Sequence, residues 1–375
     1  MNGKMKAQMF YQPQEMSLVE VDIPQVAPNE VLLKVKACGI CGSDVAYFFG
    51  RSPLETENGK GPLILGHEFA GEIVEMGEMA QSSSSFKVGD RVMANPVQEC
   101  GACKYCARTQ VNLCENKRVK GVSIHGAFAE YVTMPYTHIF AIPQGISYQE
   151  AALCEPLACG TNAVNTLDVK LGDFVVVYGP GAIGLMQMQL IRARGAGKIA
   201  MVGILDYGLE KALSLGADYV FNTLDTSSPY YCADLPAEIR KLTDGEMANK
   251  VVLPTGAKAA LQGALDVAGK KASIVYFGMP DEKMVLEVSL LDFLVNNRSI
   301  LTSWQAPFTW DTARSALKNG NIDMKTLITH TFALEELEKG IRFMDDPAYP
   351  EKIKSVVVFD QACLSLAEKR FCLLE

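Results

Sequence analysis

Residues 174–191, FVVVYGPGAIGLMQMQLI, constrain this chain more than any other stretch. Phe174, Val175, Val176, Val177 and Tyr178 are β-branched or aromatic without a break. That composition suits a strand covered on both faces of a parallel sheet. The run stops at Gly179-Pro180-Gly181-Ala182-Ile183-Gly184, a G-x-G-x-x-G, and a largely apolar helix-forming segment follows. Strand, glycine turn and helix in this order give the motif the context of a dinucleotide site. Gly179 permits the tight turn, Gly181 lets the backbone approach a pyrophosphate, and Gly184 lets helix and strand pack closely. The free N–H groups of the helix start, at Ala182 and Ile183, then face the anion.

The 375 residues exceed what one core usually supports, so two domains are expected. Residues 170–280 repeat strand and helix: strands at 174–178, 199–205, 219–221, 251–253 and 274–277, helices at 182–194, 207–215, 234–243 and 257–267. This is the signature of a doubly wound parallel sheet, an α/β fold. The first 150 residues read differently. Short strands at 7–11, 18–21 and 31–37 alternate with proline turns, a glycine-flanked turn holds Cys38, Cys41, Ser43 and Asp44, and residues 63–74 form a strand broken at Gly66-His67-Glu68. The Ser82–Ser85 run reads as a hairpin loop. Together these suggest a small β-rich barrel. Beyond about 296 the chain reads as strand again, then as helices at 309–318 and 334–345 and a strand at 354–359. The tail from Gln361 is either a helix or loose.

Charge and composition exclude some partners. The net charge is −8 and no block of Lys or Arg forms a patch, which argues against nucleic acid. No apolar run approaches the length of a membrane span, and the first residues lack a signal-peptide core. Eleven Cys, an odd number with several in metal-ligand spacing, point to thiolates in a reducing cytoplasm. Cys100-x2-Cys103-x2-Cys106-x7-Cys114 is the most specific of these patterns: four thiolates close a tetrahedral Zn²⁺ site with no open position, a structural site. A catalytic zinc needs about three protein ligands and one exchangeable position. Cys41, His67, Glu68 and Glu155 have suitable chemistry, and Pro156 biases Glu155 toward extended backbone. Sequence alone does not bring them together.

The motifs ACGICGSD (37–44), LGHEFAGEIVEMG (65–77), FKVGDRV (86–92), GAFAEYV (126–132), EPLACGTNAV (155–164) and VVVYGPGAIG (175–184) occur with the four-cysteine run between them. In this order they resemble the zinc-dependent medium-chain alcohol dehydrogenase family across nearly the whole chain. EPLACG resembles the polyol branch, the sorbitol, butanediol and sugar-alcohol dehydrogenases. The resemblance implies a GroES-like catalytic domain at 1–155, completed by 297–375, and a Rossmann domain at 156–296. It implies one catalytic and one structural Zn²⁺, NAD or NADP as coenzyme, a polyol or other secondary alcohol as substrate, and a homodimer or homotetramer. Cys41 and His67 would hold the catalytic zinc, with Glu68 or Glu155 completing the set. Ser43 would take the hydroxyl proton, and Asp44 would steady the ligands.

Two departures from the family pattern stand out. Ala46 occupies the position where many relatives have a histidine that ends a proton relay, and His125 is a candidate substitute. Gly203 occupies the position, about twenty residues past the glycine loop, where an acid would bind the ribose hydroxyls of NAD; Asp206 is three residues late. No Arg follows to hold a 2′-phosphate, and Lys211 lies a turn further on, so coenzyme choice stays open. Tyr47, Phe48 and Trp304 are candidates to line the substrate pocket. The apolar 274–277 and 284–294 stretches are candidates for subunit pairing. Alternatives are an NADPH-dependent carbonyl reductase of the same fold, a zinc-free quinone or enoyl reductase, and a non-catalytic binding protein. Retention of Cys41, His67, Glu68 and Glu155 weighs against the last two.

Overall fold

The computed structural model describes residues 3–52 and 61–359. The chain forms two compact units, Met1–Pro156 with Met324–Glu375, and Leu157–Asp323. The boundary expected at 296 falls at the end of the helix Leu290–Asn296, and the second unit continues to Asp323. The tail from Gln361 lies outside the described residues, as does the 53–60 part of the first loop.

The first unit is built on a seven-stranded sheet. Its central strand Glu30–Gly39 pairs antiparallel with Glu68–Met76, with Tyr131–Pro135 and with the late strand Lys354–Val358. Lys4–Gln12, Glu15–Asp22 and Leu63–Ile64 make a smaller sheet. The core contains Phe10, Leu33, Tyr47, Phe48, Phe69 and Phe128. Tyr47 and Phe48 are 1% and 0% exposed, so they are packed inside the unit and do not line an open pocket. Burying aromatic rings of this size is among the largest apolar contributions a core receives.

The second unit is a six-stranded parallel sheet. The strands run Tyr219–Asn222, Lys198–Gly203, Phe174–Tyr178, Ala248–Leu253, Ala268–Tyr276 and Ser299–Thr302, in the order 3-2-1-4-5-6 of a doubly wound dinucleotide fold. Phe174–Tyr178 is central and all five residues are buried, the reason the sequence there is apolar without alternation.

Three local expectations need correction. Ser43 and Asp44 lie on a short helix, Gly42–Phe48, that starts directly after Cys41; Asp44 caps it by accepting from the Cys41 N–H, which a turn assignment misses. The serine run is not a hairpin loop at its start, because Ser82 and Ser83 end the helix Glu78–Ser83. Glu155 is helical, in Cys154–Leu167, and not extended. Pro156 is tolerated there because first-turn N–H groups need no partner within the helix.

Candidate active site and metal centres

Two groups of side chains in the first unit have the chemistry of metal centres. The first is the four-cysteine lobe. The sulfurs of Cys100, Cys103, Cys106 and Cys114 lie within 4.8 Å of one another. Cys103 Sγ is 3.6 Å from that of Cys106 and 3.9 Å from that of Cys114. Tetrahedral zinc with Zn–S bonds of about 2.3 Å needs sulfurs about 3.8 Å apart, so the four fit the ion. None is in a disulfide. Backbone N–H groups of Ala102 and Cys103 point at Cys100 and bring its thiol down to about 6, the thiolate range.

The second group gathers at one end of the central sheet. Cys41 follows the strand Glu30–Gly39, and Glu68 opens its partner strand, with Gly39 opposite Glu68 in register. That pairing brings Cys41, His67 and Glu68 together, each with a ligand atom within 4.8 Å of the others. His67 is 7% exposed, and its Nδ1 is buried without a hydrogen bond. Asp44 lies beneath, its Oδ2 accepting from the Cys41 N–H at 2.8 Å and its Oδ1 from the Gly66 N–H at 3.3 Å. Asp44 Oδ1 is 3.7 Å from His67 Nδ1. Ser43 is half-buried on the same helix turn.

The electrostatics of this site call for a cation. Burial alone would lower the His67 pKa, yet the charges of Cys41, Asp44 and Glu155 raise it well above its usual value. Burial raises the carboxyl of Asp44. A sulfur, a buried imidazole and a carboxylate with ligand atoms this close, in Cys41, His67 and Glu68, are a donor set of the kind that binds a divalent ion. The residues present therefore fit a zinc ion. The structure brings Glu155 near enough for its charge to act on His67, which spacing alone did not establish.

Sequence reasoning missed Lys354. Its Nζ lies 2.8 Å from Glu68 Oε1 and 2.6 Å from Oε2, and both side chains are buried. A lone Lys in a strand 286 residues away gives no signal in one sequence. His125, the candidate relay group, accepts from the Ile64 N–H through Nδ1 at 3.1 Å; burial and Lys120 lower its pKa. Its position is that of a loop anchor.

The second unit holds the glycine loop. The helix Ala182–Ala193 starts after Gly181 with no side-chain cap, so its first N–H groups are open to an anion. A Cβ at Gly184 would stand 1.9 Å from the Gly179 carbonyl oxygen, whereas one at Gly181 would meet nothing within 4 Å. Gly184 thus serves packing, and Gly181 leaves the cradle that a pyrophosphate needs. Gly203 ends its strand as expected, and a Cβ there would be 2.7 Å from Pro180. Asp206 starts the next helix, and its Oδ1 accepts from Asn222 Nδ2 and Ser228 Oγ, each at 2.7 Å.

A dinucleotide-type sheet in one unit and two zinc-type donor sets in the other define the class: a metal-dependent nicotinamide oxidoreductase. Comparison with known proteins gives the family. Residues 27–144 match the alcohol dehydrogenase GroES-like domain, and residues 182–319 match the zinc-binding dehydrogenase domain. The chain is 34% identical to the sorbitol dehydrogenase of Halalkalibacterium halodurans, over 84% of this chain and 89% of that one. It is also 34% identical to the L-threonine 3-dehydrogenase of Caldanaerobacter subterraneus subsp. tengcongensis, over 92% of this chain and 96% of that one. A protein of Sinorhizobium meliloti 1021 solved bound to NADP superposes with a TM-score of 0.86 at 29% identity, covering 95% of this chain and 99% of that one. The chain belongs to the zinc-dependent medium-chain alcohol dehydrogenase family, polyol-type branch. It is a zinc-dependent, NAD(P)-dependent oxidoreductase.

Proposed function

We propose that the protein oxidises a secondary hydroxyl of a polyol or sugar alcohol, passing hydride to NAD or NADP, with Cys41 and His67 holding the catalytic zinc and Glu68 or Glu155 completing the set. The observation that carries this reading is the close-set group Cys41, His67 and Glu68, with His67 and Glu68 buried and the group braced by Asp44. A zinc ion there supplies Lewis-acid polarisation of the substrate hydroxyl, lowering its pKa. Asp44 fixes the Cys41 turn and the Gly66–His67 corner relative to each other. Ser43 takes the hydroxyl proton. With Ala46 at the relay position, that proton leaves by water or the coenzyme ribose. Gly179, Gly181, Ala182, Ile183 and Gly184 hold the coenzyme phosphates, and Gly203 lies at the adenosine ribose.

The polyol assignment is supported by EPLACG at 155–160 and by the sorbitol dehydrogenase relative. A hydroxy amino acid is the second reading, supported by the equal similarity to L-threonine 3-dehydrogenase. The test is nicotinamide reduction by zinc-loaded protein with NAD or NADP over polyols, diols, sugar-alcohol phosphates and L-threonine. Turnover of a polyol supports the first reading, turnover of threonine alone the second. Cys41→Ser is expected to abolish activity and lower bound zinc while the chain stays folded. An active Cys41→Ser enzyme would remove the catalytic assignment.

A homo-oligomer fits the surface of the second unit. The strand Ser299–Thr302 is at the sheet edge, and Leu290, Leu291, Leu294 and Val295 on the preceding helix are 67–79% exposed. An open strand edge beside such side chains invites a second copy. Among the described residues no helix is long and apolar enough to cross a membrane. The cysteines of the two donor sets are held as thiols outside any disulfide, which is what a reducing, cytoplasmic setting keeps.

A further inference from the structure

A single loop holds the turn that carries His67. Gly66 takes a left-handed backbone, φ 89°, and a Cβ there would stand 2.9 Å from Cys38 Sγ and from the Phe128 ring. Only glycine suits that position, and the chain turns there to deliver His67. Residues 65–67 lie between the strands Leu63–Ile64 and Glu68–Met76 and belong to neither. Their buried N–H and C=O groups therefore need partners outside a strand ladder.

The segment 125–128 supplies them. His125 Nδ1 accepts the Ile64 N–H at 3.1 Å. The N–H groups of Gly126, Phe128 and Ala127 donate to the carbonyls of Ile64, Leu65 and Gly66, at 2.7, 3.0 and 2.9 Å. The approach has to be close: a Cβ at Gly126 would stand 2.2 Å from the Gly66 carbonyl oxygen, and one at Gly121 2.3 Å from it. The loop is braced in turn. The Gly121 N–H donates to the Ile124 carbonyl at 2.7 Å, the Val119 N–H to Ser123 Oγ at 2.8 Å, and the Tyr47 hydroxyl to the Val122 carbonyl at 3.4 Å. Of the four bonds to residues 64–66, only that of His125 uses a side chain. His125 is exposed, so removing its ring opens no cavity in the core. As an Nδ1 acceptor the ring is neutral and carries its proton on Nε2.

We propose that His125 is a positioning residue for the catalytic metal: with Gly126 and Ala127 it fixes the backbone that leads into His67, and so the place of the imidazole. This rests on the reading of a catalytic zinc at Cys41 and His67 given above. Without the His125 acceptor the turn at Gly66 is free to shift, and the imidazole shifts with it.

The test compares full-length wild type with His125→Leu, which removes the acceptor, and His125→Asn, which keeps one near the Nδ1 position. Each is loaded with cobalt(II) in place of zinc, and spectra are taken against a Cys41→Ser variant so that the four-cysteine centre cancels. His125→Leu is expected to shift the remaining cobalt bands and to lose that metal to a chelator about 3- to 10-fold faster. Amide hydrogen exchange over residues 64–68 is expected to quicken in the same variant. His125→Asn is expected to restore all three. A merely structural histidine would lower Tm and leave the bands and the rate of metal loss alone. Gly126→Ala is expected to move the bands further in the same direction; if it does not fold, the two His125 variants still decide. Unshifted bands with unchanged metal loss in His125→Leu, or a His125→Asn protein that behaves like His125→Leu, overturn the proposal. Absence of any Cys41-dependent cobalt band in the wild type is a different failure: it removes the catalytic-zinc reading on which the proposal rests.

Discussion

The carboxylate of Asp44 accepts the backbone N–H of Cys41 at 2.8 Å, closing the helix Gly42–Phe48 on a candidate metal donor. Its other oxygen takes the Gly66 N–H, beside His67. One side chain thus ties together the backbone beside two candidate metal donors, Cys41 and His67. Asp44→Asn keeps the shape but loses one of the two acceptors. The expected outcome is a fall of about 10- to 100-fold in kcat/KM and lower zinc occupancy, with an unchanged circular dichroism spectrum. Activity equal to wild type would show that the brace is dispensable.

The glycine loop separates packing from binding. Gly184→Ala places a methyl 1.9 Å from the Gly179 carbonyl oxygen, so the loop must open; a fall in Tm and loss of coenzyme binding are expected together. At Gly181 the new methyl meets no protein atom within 4 Å. Gly181→Ala is expected to keep the wild-type Tm and weaken NADH or NADPH binding at least about tenfold, read by quenching or calorimetry. A Tm loss at Gly181 equal to that at Gly184 would assign both to folding.

These two glycines are legible in the sequence because the motif is local: six residues fix a turn, and the flanking strand and helix are strongly patterned. The four-cysteine lobe is legible for the same reason, its sulfurs lying within fifteen residues of one another. The second set is only partly legible. Cys41 and His67 stand in recognisable turns, but their approach depends on Gly39 pairing with Glu68 across the sheet, a long-range register. Lys354 is more remote still, since a strand at the far end of the sequence delivers it. Asp206 shows another limit. Its distance from the glycine loop can be counted, but its commitment to Asn222 and Ser228 depends on where a neighbouring strand and loop fall.

The four-cysteine lobe is expected to bear on folding and not on chemistry. Among the described residues it is linked to the rest of its unit by short strands such as Val97–Gln98 and Arg118–Val119. A metal bond there replaces an apolar core that so few residues cannot form. Cys103→Ser is expected to halve the zinc content per chain and lower Tm and soluble yield, while the folded fraction keeps its KM. A stable variant with unchanged metal content would refute the structural-zinc assignment.

Lys120 couples this region to pH. It is 9% exposed, its Nζ reaches Thr133 Oγ1 at 3.5 Å, and burial brings its pKa down to about 8, with Arg118 adding to the effect and Glu30 opposing it. The folded pKa is below the unfolded one, so the unfolded chain binds more protons between about 8 and 10.5 and stability rises with pH across that window. Below it the burial penalty applies in full. Lys120→Met is expected to raise stability at pH 7 by about 1–3 kcal/mol. The gain should shrink as pH climbs toward 10. Urea midpoints of both proteins at pH 7 and 9.5 check this; a difference independent of pH would mean that the charge of Lys120 is not what the fold resists.

The edge of the parallel sheet makes the last expectation. Leu290 and Leu294 are one helical turn apart on the same face, 79% and 78% exposed, next to the edge strand Ser299–Thr302. Exposing four such side chains together costs solubility unless a second surface covers them. Leu290→Glu with Leu294→Glu adds charge to that face without touching a buried side chain. If a second copy packs there, the double variant should sediment as a smaller species than wild type at the same concentration, with its Tm becoming independent of concentration. An unchanged sedimentation coefficient would mean that the leucines are not at a subunit contact, and that any oligomer forms elsewhere on the molecule.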